Sequence, residues 1–220
     1  MEPLYVSLKI AIVATIITFF LGIYIAYMVS RMKRGKIIVD ALLTLPLVLP
    51  PTVIGFFLLS VFGKQGVFGR FLSQFGISIV FTWWGAVIAA VFVAFPLMYR
   101  TTKSTFEQFD ENLIYAARTL GLSECKIFHK IILPNCMPVI VAGTILAFSR
   151  TLGEFGATIM MAGNIPGKTQ TISIAIYQAV QAGNHQLAYY WVVVILCISF
   201  FCILVMTYVI HRFGYRRVTK

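Results

Sequence analysis

Five stretches of this chain, residues 10–30, 41–63, 71–99, 131–149 and 187–210, contain no Asp, Glu, Lys or Arg. Each is close to or above the roughly 20 residues that a helix needs to cross about 30 Å of hydrocarbon. Lipid offers no partner to a bare N–H or C=O, and a helix satisfies both within its own segment. The runs therefore predict an all-α integral membrane protein with five transmembrane helices. Composition agrees, since 11% of the 220 residues are charged and 60% are apolar, against about a quarter charged in a soluble domain. Too little chain remains for a separate catalytic domain, so residues 1–220 read as one transmembrane domain.

The net charge of +11 follows the membrane, which excludes nucleic acid as the natural partner. Placing Arg31, Lys33, Arg34 and Lys36 in the cytosol puts 13 of the 18 Lys and Arg residues on that side. Only Lys64, Arg70 and Lys168 then lie outside, while Lys9 and Arg150 fall in or at the edge of apolar runs. The expected topology has the amino terminus outside, the carboxyl terminus in the cytosol and the chain as a multi-pass protein of the cell membrane. The first run exceeds the h-region of a signal peptide and its basic cluster follows it, so it reads as a retained anchor.

Prolines complicate the second run. Pro46, Pro50 and Pro51 cannot sit in a straight helix, because each removes a donor and clashes with the preceding turn. A break near Pro50 follows, either as a kink lining a pathway or as a helix that begins at Pro51 after a short interfacial entry. Pro96, Pro134 and Pro138 read as boundary or first-turn residues. The glycine-spaced 64–82 segment reads as a half-embedded outer loop, and 170–186 as a short outer helix or a re-entrant element. The stretch from Ala162 to Thr169 matches a phosphate-binding loop at all positions but the first; it lacks the strand-to-helix context and faces outward, so it reads as a proline-glycine turn. The four cysteines form no C-x-x-C pair and read as packing residues. None of His129, His185 and His211 falls at mid-membrane, which argues against axial haem ligands. No metal cluster, cofactor motif or nucleophile with its base is visible.

The one charged, helical loop is 107–133, assigned to the cytosol. Asp110 can cap a helix, Glu111 adds charge at its positive end and Gly121 suits a left-handed stop. Leu113, Ala117 and Leu120 recur at helical spacing, and Ala116, Ala117 and Gly121 keep the surface low enough for another protein to approach. A lipid-facing helix would instead carry bulky apolar residues. A second helical stretch, 124–133, leads into the fourth run, so movement of the first helix would reach the span.

Tyr115, Ala116, Ala117, Arg118, Thr119, Leu120 and Gly121, followed by Ile131, Ile132, Leu133 and Pro134, resemble the E-A-A-x-x-x-G-x(9)-I-x-L-P signature of permease subunits in binding-protein-dependent ABC importers. Tyr115 stands where the signature has Glu. The proline-rich segment 45–51, the segment 148–158 around Arg150 and Glu154, and 163–169 look like the molybdate permeases, while sulfate and tungstate permeases share parts of them. The resemblance implies a type I ABC importer permease that conducts and does not catalyse. It implies a homodimer forming the pathway, two cytosolic ABC ATPase subunits docked at Tyr115, Ala116, Ala117, Arg118, Leu120 and Gly121, and an external binding protein that delivers the oxyanion. The rival reading is a secondary transporter, which would need an internal repeat and a pathway complete in one chain; no convincing repeat is visible.

Arg150 and Glu154 form an opposite-charge pair within an apolar segment. Arg150 lies 12 residues past Pro138, about 18 Å along a helix and close to mid-bilayer. Spacing of four puts both on one helix face. With Pro50 and Pro51 they are the translocation-path candidates, either as a structural ion pair or as a cation that lowers the barrier for a dianion.

Overall fold

The computed structural model describes residues 2–214, with side chains to His211. Arg216, Arg217 and Lys220, part of the charge count above, lie outside it. Every regular element among the described residues is helical: α1 (Glu2–Ser30), α2 (Lys36–Thr44), a 3-10 turn (Leu45–Leu47), α3 (Pro51–Phe62), α4 (Val67–Ser73), α5 (Trp83–Glu107), α6 (Glu111–Thr119), α7 (Glu124–Ile127), a π-helical turn (Phe128–Ile132), α8 (Leu133–Leu152), α9 (Gly156–Ala162), α10 (Ile172–Gln181) and α11 (His185–Gly214). Four stretches are long and apolar enough to cross a membrane: α1, α5, the continuous run Glu124–Leu152 and α11. The broken pair α2 and α3 makes a fifth when taken as one span.

Cation–π pairs mark both ends of α1. Lys9 Nζ sits 4.7 Å from the Trp83 ring centre and the Arg31 guanidinium 5.1 Å from that of Tyr27. The 22 residues from Lys9 to Arg31 rise about 33 Å, the thickness of a hydrocarbon core. Trp84, Tyr190 and Trp191 cluster with the Lys9 end, as an interfacial aromatic belt does. Between the ends, α5 is central. Gly22 of α1 and Gly143 of α8 both turn bare backbone toward Met98 of α5, so these three helices pack closely in one layer.

Only the later part of the 71–99 run is a long helix, in keeping with the reading of 64–82 as a loop: α4 ends at Ser73, Gly76 and Phe81 both take positive φ, and α5 begins only after Thr82, whose side chain accepts from Gly85 N. The Phe81 amide instead donates to the Met161 carbonyl at 3.0 Å, which offsets its strained backbone. Pro96 and Pro138 lie inside α5 and α8 and mark no boundary. Only Pro134 falls in a first turn, and the helix is already running when it reaches it; the π turn at Phe128–Ile132 sits where Pro134 withholds its amide.

In the second run α2 and its 3-10 turn meet α3 at 107°. Neither arm crosses alone, since the 12 residues of α3 span only about 18 Å. Pro50 is the N-cap and Pro51 the first helical residue, so the break falls at Pro50 and α3 starts at Pro51. Helix α10 forms in the uncertain 170–186 region and packs on Trp191 and Leu4 at the Lys9 end.

Candidate functional site

Two places carry the chemistry, one at each level of the bundle. At the Arg31 end, α6 forms as its residues dictate: Asp110 accepts from Asn112 N at 2.9 Å, and Gly121 takes φ 76° so that Leu122 N can reach back to the Ala117 carbonyl. Its inner face is Ile114 and Ala117, seated with Leu122 on the cluster that includes Tyr27, Phe106 and Phe128. Ala117 is 3% exposed, so it serves this chain's own core, and the stripe of Leu113, Ala117 and Leu120 is split. The outward face is Leu113, Tyr115, Ala116 and Leu120, the last 81% exposed.

Arg118 binds Glu124 of α7 twice, at 2.6 and 3.2 Å, and Glu124 also lies 3.5 Å from Arg31, the residue that follows α1. That hydrogen bond holds the Arg118 guanidinium above its ordinary pKa. Glu124 thus ties α6 to both the start of the next span and the end of the first. Tyr115, in the place of the signature's acidic residue, makes a long contact to Glu111 at 3.3 Å and has the Arg118 guanidinium 5.8 Å from its ring centre. A cavity of about 450 Å³ opens beside these groups, between Tyr27, Arg31, Glu107, Tyr115, Arg118 and Ile132.

Deeper in the bundle, two helix breaks meet. Helix α8 stops at Leu152, and Glu154 lies beyond it in the link to α9. Arg150 and Glu154 therefore do not share a helix face, although their charges do meet: Arg150 Nη1 is 2.8 Å from Glu154 Oε2, without hydrogen-bond alignment. The other oxygen, Oε1, accepts from Ala157 N at 2.8 Å and caps α9. Glu154 is almost fully buried and Arg150 partly open. A β-carbon on Gly156 would lie 3.1 Å from both Pro51 Cβ and Thr52 N. The start of α3 and the α8–α9 elbow, separated by about a hundred residues in sequence, thus meet at Pro51, Thr52 and Gly156, next to the link that carries Glu154.

Gly143 shares the Met98 layer with Gly22, which is 13 residues from Lys9, or about 20 Å. Arg150 is 7 residues beyond Gly143 toward the Lys9 end, which leaves it about 10 Å short of the level of Lys9.

The look-alike phosphate loop is closed on itself. The amides of Lys168, Thr169 and Gln170 all point to the Ile165 carbonyl, so none is free to cradle a phosphate. Among the described residues no group of three His, Cys, Asp or Glu side chains is placed to hold a metal ion.

Sequence reasoning overlooked Glu124, Gly55 and the Lys36–Asp40–Lys103–Glu107 network. The i,i+4 spacing of Lys36 with Asp40 and of Tyr99, Lys103 and Glu107 was a visible signal for the network. Nothing in the sequence pairs Gly55 with α9.

Residues 18–220 match the family model described as binding-protein-dependent transport system inner membrane component. The chain is 46% identical over 200 residues to a putative molybdenum transport system permease protein of Bacillus subtilis, covering 90% of this chain and 88% of the relative. It is 37% identical over 214 residues to the sulfate transport system permease protein CysT of Salmonella typhimurium, covering 97% and 77%. In fold it resembles a chain of the inward-facing MetNI methionine ABC transporter, with a TM-score of 0.72 at 15% identity over 96% of this chain and 94% of that one.

Proposed function

This chain belongs to the family of binding-protein-dependent transport system inner membrane components, and from that premise we propose that it forms the pathway of an ATP-driven molybdate importer. Its class, an ABC importer permease for molybdate- or sulfate-type anions in the cell membrane, follows from its relatives. The observation that carries the narrower cargo is the 46% identity with the molybdenum permease, against 37% with the sulfate permease. Sulfate and tungstate are the competing cargoes.

In this reading two copies of the chain enclose the pathway, and an external binding protein delivers the tetrahedral dianion at the Lys9 end. Two ABC ATPase subunits hydrolyse ATP and dock on the outward face of α6. The exposed Leu113, Tyr115, Ala116 and Leu120 support that docking, as bulky and small apolar side chains side by side make a surface for a protein cleft. Closure of the ATPases would move α6, and through α7 the continuous helix Glu124–Leu152, to turn the pathway outward. At the far end of that helix Arg150 and the α9 elbow would shift against Pro51. Irregular backbone at membrane depth is tolerated where protein or a water-filled cavity covers it, which supports a path along this face. Arg150 would lower the barrier for the dianion, and Glu154 would keep it from becoming a trap.

Purification of the tagged chain from its native membrane tests the class: a P-loop ATPase should be recovered at equal stoichiometry, and its absence would favour a secondary transporter. Uptake by the complete transporter in proteoliposomes, with molybdate, tungstate and sulfate in competition, tests the cargo. Preference for sulfate at equal concentration would reverse the assignment.

A further inference from the structure

Helix α2 is held in place by charge. None of its residues is fully buried, and a helix of nine residues is too short to be stable by itself. The face it turns inward is Lys36, Val39, Asp40, Leu43 and Thr44, a regular helical stripe in which three of five side chains are polar. Opposite stands a second stripe, Tyr99, Lys103 and Glu107, along one face of α5. The two stripes interlock. The Tyr99 hydroxyl and Lys103 Nζ both donate to the Asp40 carboxylate, the latter at 2.5 Å. Lys103 also lies 3.2 Å from Glu107, and Glu107 in turn lies 2.7 Å from Lys36. Two cations and two anions balance. Because Lys103 is largely enclosed, loss of either carboxylate leaves a poorly solvated charge.

The position of this network gives it a further consequence. Glu107 is the last residue of α5, three before the cap of α6. Asp40 sits on α2, whose end runs through the stiff 46–51 proline segment into α3. Helix α3 then lies against α9 at Gly55 and Gly156. A displacement of α6 thus has two routes to the deep break: one through α7 and α8, the other through Glu107, Lys36 and Lys103 to Asp40, α2 and α3. We propose that Lys36, Asp40, Lys103 and Glu107 are positioning residues that hold α2 in register with α6, so that both sides of the α3–α9 contact move together when α6 is displaced. This rests on the assignment of α6 as the ATPase-docking helix.

The test uses the complete transporter in proteoliposomes, with its ATPase and binding protein, and reads molybdate taken up per ATP hydrolysed. Asp40→Asn and Lys103→Met should retain the ATPase subunit and its hydrolysis but lower that ratio by about 2- to 30-fold. The exchange Asp40→Lys with Lys103→Asp should restore much of it, since the pair is re-formed with reversed polarity. A merely structural role would instead lower assembly and leave the ratio of the surviving complexes unchanged, which overturns the proposal. Should Asp40→Asn fail to assemble, Tyr99→Phe and Lys36→Gln decide, because each removes one link and keeps the packing. Parent-like ratios in both would also overturn it. Failure of the docking assignment looks different: the unaltered chain would then bring down no ATPase at all.

Discussion

Gly55 of α3 lies so close to α9 that a β-carbon on it would stand 2.8 Å from Ala157 Cα and 2.8 Å from Met160 Cβ. Two broken half-helices are thereby packed backbone to backbone, with Glu154 capping one and Pro50 leading into the other. Gly55→Ala should force them apart, with a stability loss of about 1–3 kcal/mol from overpacking. A lowered midpoint in thermal unfolding of the purified protein, together with reduced uptake, is the expected result; an unchanged midpoint would show that α3 and α9 are not in this contact.

On α6 the inner and outer faces should respond differently. Leu120→Glu places charge on the outward face and should abolish recovery of the ATPase while changing the chain's own stability by no more than about 0.5 kcal/mol, as surface changes do, so that its unfolding midpoint stays near the parent's. Ala117→Glu buries a carboxylate in the core beside Tyr27 and Phe128 and should lower the midpoint itself. Equal midpoints for the two variants would contradict the orientation of α6.

Arg150 and Glu154 separate a structural pair from a pathway cation. Arg150→Gln leaves the buried Glu154 carboxylate without its partner and should lower both stability and uptake. Adding Glu154→Gln removes the orphaned charge while its amide oxygen can still accept from Ala157 N, so stability should return. Uptake should stay low if Arg150 faces the dianion. Recovery of uptake in the double variant would end the pathway role.

Orientation is tested by labelling. In a chain with its four native cysteines replaced, Glu2→Cys should react with an impermeant maleimide in sealed cells, and Lys33→Cys should react only after lysis. The reverse pattern would invert the bundle and move α6 to the outside.

The sequence by itself determined the class of this protein. Charge-free runs of span length leave no alternative to membrane helices in lipid, and basic residues concentrated beside particular runs imply a sidedness. Asp110 and Gly121 bound α6 because a cap and a left-handed stop are local requirements, met by residue type and spacing. What tertiary structure alone decided was what the broken ends of the apolar runs touch. Residues 71–82 are as apolar as the span that follows, and the Phe81 amide leaves the helical pattern for the Met161 carbonyl, a partner eighty residues away. Ala117 reads as part of an outward stripe because an apolar side chain suits this chain's core and a partner's cleft equally well; only the Tyr27, Phe106 and Phe128 cluster beneath it selects the former. Arg150 and Glu154 read as neighbours on one face because spacing assumes an unbroken helix, whereas α8 ends between them. The meeting of Pro51 with Gly156 is a contact between two interruptions, and interruptions carry no periodicity from which a partner could be read.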